Sequence, residues 1–154
     1  MGSWEVRFAA ESDVESIVAM NHQLAWESEK LRLDEKTLRA GVLRILRNPM
    51  LGRYFLAFDG PRVIGQMMIN LEPTDWRDGV IVWLQSVYVA ADYRRRGVFK
   101  TLYQSVKDHC RREVGPVRLI RLYMEQDNDL GRKTYEAAGM KKTHYVVYEA
   151  EPSL

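Results

Sequence analysis

The chain has 154 residues, of which 46% are hydrophobic and 29% are charged, the balance of an ordinary globular domain. We therefore expect one domain spanning residues 1–154. The formal net charge of +2 gives no argument for a nucleic-acid partner. No apolar run approaches the roughly 20 residues that cross a bilayer, so no membrane partner is expected. The start MGSWEVRF lacks the pattern of a signal peptide, and a cytoplasmic location is the default expectation.

The cysteine and histidine content argues against a metal site. Cys110 is the single cysteine, which excludes an internal disulfide and a cysteine-rich zinc site. His22, His109 and His144 are scattered and show no metal-ligand spacing, so no metal is expected. Cys110 continues the apolar face of a predicted helix, and we interpret it as a buried packing residue.

Hydrophobic periodicity predicts the element order β-α-α-β-β-β-α-β-α-β. Strands are expected at Trp4–Phe8, Tyr54–Phe58, Val63–Leu71, Val80–Val89, Val117–Met124 and His144–Glu149. Helices are expected after a Ser12/Glu15 capping box, after an Asp34 cap, from Gly97 to Gly115-Pro116, and over Asn128–Ala138. The polar segment from Glu72 to Gly79 is interpreted as a longer connection between the third and fourth strands. The strand-helix-strand passage in the middle predicts a parallel pair inside a mostly antiparallel sheet, a mixed α/β fold.

The most informative stretch runs from Leu84 to Val106. A buried strand leads into the basic turn Arg94–Arg96, then Gly97, then an amphipathic helix. A helix N-terminus exposes unpaired N–H groups and a partial positive charge, which favour a phosphate. Gly97 allows a close backbone approach, and the arginines raise the positive potential. Arg-x-x-Gly by itself is also typical of a surface turn. The glycine pattern of a dinucleotide fold and that of a P-loop are both missing.

Two segments resemble the GNAT superfamily of N-acetyltransferases. VAADYRRRGVFKTL, residues 89–102, is similar to the family's Arg/Gln-x-x-Gly-x-Gly/Ala signature, with Phe99 where the family usually has glycine or alanine. NDLGRKTYEAAGM, residues 128–140, is similar to Asn-x-x-Ala-x-x-x-Tyr-x-x-x-Gly-Phe. Asn128 and Tyr135 match that motif, while Gly131 and Met140 replace its alanine and phenylalanine.

The resemblance implies an acetyl-CoA-dependent enzyme with the GNAT fold, a mixed, mostly antiparallel sheet with a central parallel pair flanked by about four helices. It implies that Tyr135 is the general acid toward the CoA sulfur and that a backbone N–H near Val87 polarises the acetyl carbonyl. The cofactor contacts that it implies are Val87, Tyr88, Val89, Arg94, Arg95, Arg96, Gly97, Val98, Phe99, Lys100, Asn128 and Tyr135.

The acceptor is expected to be a primary amine of a small molecule, polyamine-like or amino-acid-like. LAWESEK and LQSVYVAADYRRRG look like the polyamine acetyltransferase subgroup, in which a glutamate stands at the position of Gln85. A glutamine cannot act as the base, but it can hold a water that relays the proton. Glu27, Glu29, Glu72 and Asp75 are other candidates for the base, because the resemblance implies that they flank the acceptor cleft. Together with Trp76 they are expected to line that cleft. Alternative functions are acetylation of a protein N-terminus or lysine, and a non-catalytic acyl-CoA sensor. A homodimer is plausible in this superfamily.

Overall fold

A five-stranded sheet and four helices make up the fold in the computed structural model, which describes residues 4–153. The strands are β1 Glu5–Phe8, β2 Arg53–Asp59, β3 Arg62–Thr74, β4 Gly79–Val89 and β5 Val117–Arg121. The helices are α1 Val14–Glu29, α2 Glu35–Arg47, α3 Val98–His109 and α4 Asp129–Ala137. None of the helices within residues 4–153 is both long and apolar enough to cross a bilayer.

The sheet has its strands in chain order, from β1 at one edge to β5 at the other. Neighbouring strands from β1 to β4 are antiparallel, and β4 and β5 are parallel. A parallel pair needs a crossover connection, and α3 supplies it between β4 and β5. The predicted mixed α/β fold with one parallel pair is therefore confirmed, but within the described residues the pair includes the edge strand β5 and is not central.

Helices cover the sheet on both faces. On one face α1 and α2 pack over β2 and β3, with Ile17, Val42 and Leu56 among the buried contacts. On the other face α3 packs over β3 and β4, and Leu102 and Val106 are fully buried there. Because the central strands are buried on both faces, their sequences are nearly continuous apolar runs.

The predicted caps are confirmed at one helix and wrong at another. The Asp34 carboxylate accepts from the Thr37 N–H at 2.8 Å and begins α2, as expected. Ser12 does not cap α1, because Asp13 occupies that position. The Asp13 carboxylate accepts from the Ala10 N–H at 2.7 Å and pairs with Arg7 of β1 at 2.8 Å. This ion pair fixes where α1 starts and lowers the pKa of Asp13.

The polar segment after β3 is shorter than the sequence indicates. β3 continues through Thr74, and Pro73 lies opposite Val80 in the ladder with β4. The ladder between β2 and β3 ends earlier, at Arg53 and Ile69, so β3 is unpaired on its β2 side at Pro73. The missing N–H of Pro73 therefore lies at an edge of the sheet, where a proline is tolerated. A short 3-10 turn over Asp75–Arg77 makes the actual connection.

The predicted final strand His144–Glu149 is wrong. Residues 141–153 form no strand, and the side chains from Tyr145 to Tyr148 are between 56% and 91% exposed. β-Branched and aromatic residues favour a strand only where a neighbouring strand accepts their backbone groups. The contact of this segment with the sheet is the Arg121 guanidinium, 5.3 Å from the centroid of the Tyr145 ring.

Candidate functional site

A cavity of about 720 Å³ lies where β4, the N-terminus of α3 and α4 meet, with the end of α1 at its mouth. Eleven of the twelve residues expected to contact the cofactor line it, Arg96 being the exception. Its volume falls within the range of roughly 300–1,000 Å³ that is typical of small-ligand sites.

The turn that enters α3 is built around Gly97. This residue is the N-cap of the helix and has φ of 86°, a left-handed conformation that glycine adopts without steric cost. Arg95 is also left-handed, with φ of 59°. The first N–H groups of α3 have no partner inside the helix, and the cavity lies against them.

Side chains before the turn attach it to the sheet. The Tyr93 hydroxyl donates to Asp59 at 2.6 Å, and the Arg62 guanidinium donates to both carboxylate oxygens of Asp92. Arg62 and Asp59 sit at the hairpin between β2 and β3. The residues before the phosphate-type turn are therefore attached to the hairpin between β2 and β3.

Arg94 and Glu27 form an ion pair at the cavity mouth. The Arg94 Nε donates to the Val89 carbonyl at 3.0 Å, and its Nη2 donates to one Glu27 oxygen. The Tyr88 hydroxyl donates to the other Glu27 oxygen at 2.9 Å. Burial and the neighbouring carboxylate raise the pKa of Tyr88 to about 12, so Tyr88 is a neutral donor at physiological pH.

Arg96 lies outside the cavity lining. Its guanidinium is 5.3 Å from the Trp4 ring centroid and 4.7 Å from that of Tyr93. The Trp4 indole N–H donates to the Arg96 carbonyl at 3.1 Å. Arg94 and Arg95 thus line the cavity, whereas the Arg96 side chain packs on Trp4 and Tyr93.

β4 leaves regular pairing where it reaches the cavity. The ladder with β5 ends at Trp83 and Arg121, although β4 itself continues to Val89. On its other side a bulge occurs at Ser86, which has φ of 48°. The Gln66 amide donates to the Ser86 carbonyl at 3.0 Å and so fixes the bulge. The part of β4 after Trp83 therefore turns a free strand edge toward the cavity.

Asn128 begins α4 and lines the cavity. Its side-chain oxygen accepts from the Gly131 N–H at 2.9 Å. A Cβ atom at position 131 would lie 2.8 Å from the Asn128 amide nitrogen. Glycine at this position, where the resembled motif has alanine, leaves room for the Asn128 side chain in this rotamer.

Tyr135 is half-buried in the cavity wall, and burial raises the pKa of its hydroxyl above the ordinary value of 10. Its ring meets Phe99 edge-on at 5.8 Å, and Phe99 stacks on Tyr103 at 5.8 Å. The bulky Phe99 is accommodated as part of an aromatic wall between α3 and α4.

The expected acceptor residues do not form one cluster. Gln85 is half-buried, and its amide donates to Asn70 of β3. Glu72 accepts from the indole N–H of Trp83, farther along the sheet. Glu27 lies in the cavity already described.

The remaining two carboxylates lie in other places. The Asp75 carboxylate accepts from the backbone N–H of Trp76 at 2.9 Å, and Trp76 is 84% exposed in the turn after β3. Glu29 lines a separate cavity between α1 and α2. The four carboxylates named from the sequence therefore occupy four separate places.

Several lining residues were missed by the sequence analysis. Tyr103 and Lys107 follow Phe99 at four-residue intervals, and all three line the cavity from one face of α3. Because residues four apart share one face of a helix, this spacing could have identified Tyr103 and Lys107 as neighbours of Phe99 in the sequence analysis. Leu24 and Ser28 of α1 also line it, but their approach depends on how α1 packs on the sheet, which no local pattern reports.

The lining suits a long ligand with a phosphate end. Arg94, Arg95 and Lys100 supply positive charge beside the N–H groups of α3, while Val87 and Tyr135 supply apolar surface farther along. This donor set fits a diphosphate attached to a neutral arm. Within residues 4–153 no group of three or more His, Cys, Asp or Glu is arranged to hold a metal ion.

Comparison with known proteins identifies the protein family of this chain. Residues 13–140 match the model of the acetyltransferase (GNAT) family, and the chain belongs to that family. It is an N-acetyltransferase that uses acetyl-CoA. No curated protein sequence matches the chain.

Solved structures show the same fold along the whole chain. A possible acetyltransferase from Clostridium difficile 630 is 35% identical, with a TM-score of 0.87, 98% of this chain and 99% of that one being covered. A predicted acetyltransferase from Clostridium acetobutylicum, solved with acetyl-CoA, is 18% identical, with a TM-score of 0.77 and 96% of both chains covered. AAC(6')-Iy, in complex with the bisubstrate analog CoA-S-monomethyl-acetylneamine, is 19% identical, with a TM-score of 0.78. The match covers 98% of this chain and 99% of that one.

Proposed function

We propose that this enzyme transfers an acetyl group directly to the primary amine of a small molecule. The observation that supports this most is a single cavity joining the α3 N-terminus, Asn128 and Tyr135. One end of the cavity is suited to phosphate and the other end carries a protonated phenol beside a free strand edge. Acetyl-CoA, when bound, supplies the acetyl group as a thioester.

The cofactor-binding residues act at two ends of the cavity. Arg94, Arg95 and Lys100 hold the phosphates together with the N–H groups from Gly97 to Lys100, while Arg96 adds positive charge to the turn. Val98 and Phe99 contribute through their backbone. The free edge of Val87–Val89 and the Asn128 amide would hold the pantetheine arm. The Val87 N–H polarises the acetyl carbonyl.

Tyr135 acts as the general acid. Because burial raises the pKa of its hydroxyl above 10, the phenol is protonated at neutral pH and can give its proton to the departing sulfur. Its position in the wall between α3 and α4 places it beside the same cavity as the phosphate turn.

Gln85 orients the water that accepts the amine proton. An alkylammonium has a pKa of about 10 and must lose a proton before it can attack. The Gln85 amide is fixed by its donation to Asn70, and Gln85 directly precedes the Ser86 bulge. The bond to Asn70 supports a fixed orientation of the Gln85 side chain, and with it of a bound water.

The acceptor is small in this proposal. The structural neighbour AAC(6')-Iy was solved with an analog that joins CoA to acetylneamine, and the fold it shares with this chain therefore accommodates a small acceptor. Glu29, Glu72, Asp75 and Trp76 are separated in space, which supports a compact acceptor contacting only some of them.

The test is acceptor-dependent release of CoA. Purified protein is incubated with acetyl-CoA and pools of small primary amines, lysine-containing peptides, peptides with free N-termini, or buffer alone. We expect thiol release with the small amines well above the rate in buffer. Release with the peptide pools alone would contradict a small acceptor, and CoA binding without turnover on any pool would contradict an enzyme.

A further inference from the structure

A second cavity of about 370 Å³ lies between α1 and α2, above the sheet. Most of its walls are aliphatic side chains from the two helices and the loop between them. The aliphatic residues are Leu24, Ala25, Leu31, Leu33, Leu38, Val42 and Ile45. Leu31 is 49% exposed at the opening, so apolar surface faces solvent where a ligand would enter.

This second cavity is adjacent to the cofactor cavity. Leu24 and Ser28 of α1 line both. Ser86, at the bulge of β4, lines the second cavity, and Val87, the next residue, lines the first. A ligand in the second cavity would therefore approach the acetyl end of the cofactor across the bulge.

The charge of the second cavity is unsuited to a polycation. Among its lining residues Glu29 is the carboxylate, and it is exposed at the rim. The other polar groups are neutral: Asn21 and Tyr54 are 6% and 4% exposed, and Ser28 and Ser86 are half-buried. Each positive charge of a polyamine would lose water without gaining a paired carboxylate, which is unfavourable.

We infer that the second cavity receives the hydrophobic group of the acceptor, which makes the preferred substrates primary amines with a branched aliphatic or aromatic group. The inference rests on the proposed transfer reaction. In that reaction the acceptor nitrogen bonds to the acetyl carbon, the carbon–sulfur bond breaks, the nitrogen loses a proton and the sulfur gains one. Burial of the apolar group against the leucines holds the amine at the bulge.

Gly41 offers a way to fill the cavity without disturbing the fold. It lies in α2 on the cavity wall, and a Cβ atom added there has nothing within 4 Å. Leucine is also a better helix former than glycine. Gly41→Leu therefore occupies the cavity, and Ala40→Leu, which adds the same side chain at the neighbouring exposed position of α2, is the matched control.

The experiment compares kcat/KM for phenethylamine, isopentylamine, ethylamine and spermidine in three proteins. We expect the natural chain to prefer the first two over spermidine by about tenfold or more. Gly41→Leu should lower kcat/KM for these two by about tenfold, and for ethylamine by less than about threefold. Ala40→Leu should have the same kcat/KM values as the natural chain for all four amines. Phenethylamine should also raise the melting temperature of the CoA-saturated natural chain, and should not raise that of Gly41→Leu.

The outcomes separate this inference from the proposed function. A higher kcat/KM for spermidine than for phenethylamine in the natural chain would overturn the hydrophobic subsite and leave acetyl transfer intact. An equal fall in kcat/KM for ethylamine and phenethylamine in Gly41→Leu would do the same. Turnover of none of the amines, with no thermal shift by phenethylamine, would overturn the subsite too. Failure of the natural chain to bind CoA in calorimetry would instead overturn the proposed function itself.

Discussion

At the scale of single residues, Tyr135 is the group whose surroundings most directly set its chemistry. Its hydroxyl is removed from water between α3 and α4, and a phenolate is more costly to bury than a phenol. The folded-state pKa therefore lies above 10, and the hydroxyl that we propose as the proton donor stays protonated throughout the physiological range. Phe99 contacts the ring edge-on and limits its movement.

Replacement of Tyr135 by phenylalanine removes the proton donor and little volume. We expect kcat to fall by at least an order of magnitude, with the Kd for CoA changed by less than about threefold, since the ring contacts remain. Steady-state kinetics and calorimetry measure the two quantities. Tyr148→Phe, at a 91% exposed position, is the control. An unchanged kcat where chemistry limits turnover would remove Tyr135 from the mechanism.

The pH profile gives a second test of Tyr135. Because its pKa is raised, the acid form is fully present below the ordinary tyrosine value and is lost only as the pH rises above 10. We therefore expect no loss of kcat attributable to this group up to about pH 10. A descending limb of kcat centred near pH 8, present in the natural chain and absent in Tyr135→Phe, would contradict the assignment.

Glu27 is a carboxylate in the cavity where we propose that the cofactor's phosphates bind. It accepts hydrogen bonds from Arg94 and Tyr88 at the mouth of the phosphate-type cavity. An anionic ligand there must compete with Glu27 for Arg94. The residue predicted from the sequence to attract a cationic acceptor is therefore positioned to weaken cofactor binding.

Glu27→Gln should increase the affinity for CoA. Removing the negative charge frees Arg94 and ends a like-charge repulsion, worth up to about 1 kcal/mol at a partly exposed site, or roughly a fivefold lower Kd. The gain should shrink in high salt. Calorimetry at two salt concentrations measures it, with Glu15→Gln, on the same helix and paired with Arg39, as the control. A weaker affinity for CoA would show that Glu27 serves to orient Arg94.

At the scale of elements, the bulge in β4 is the feature that connects the two cavities. It depends on Gln66, which is fully buried on β3 and donates to the Ser86 carbonyl and to the Asn21 side chain at 3.0 Å each. A buried amide making two such bonds fixes both the strand and the position of α1. The contact between Gln66 and Ser86 therefore supports the position of Val87, the next residue, in the wall of the cofactor cavity.

Gln66→Leu should lower the free energy of unfolding by about 1–3 kcal/mol, because it leaves the Ser86 carbonyl and the Asn21 oxygen buried without their donor. Urea unfolding measures this, and kcat should fall in the protein that remains folded. Gln23→Leu, on the exposed surface of α1, is the control and should change stability by less than about 0.5 kcal/mol. Equal effects of the two substitutions would contradict a role for Gln66 in holding the bulge.

Local features were predictable from the sequence, and features that depend on distant partners were not. Gly97 could be identified because a glycine between a strand and an amphipathic helix has a local steric reason. The left-handed Ser86 has no such signal, because its conformation is imposed by Gln66 across the sheet. The strand predicted at His144–Glu149 failed for the same reason: residue preference does not reveal whether a partner edge is available.

At the scale of the whole molecule, α1 separates two cavities of different character. The cavity on one side is basic at the α3 end and aromatic at the α4 end, and the cavity on the other side is aliphatic. The sequence indicated the first through its motifs. It could not indicate the second, because leucines that pack against the sheet and leucines that line a cavity follow the same helical spacing.

The binding of CoA tests the central claim most directly, since every assigned role depends on the turn at Gly97 holding the cofactor's phosphates. Calorimetry on folded protein should give saturable heat for CoA and acetyl-CoA with about one site per chain, and Arg94→Ala should weaken binding by roughly tenfold through loss of a charge-assisted contact. The absence of heat from both ligands, with the natural chain shown to be folded, would contradict the account.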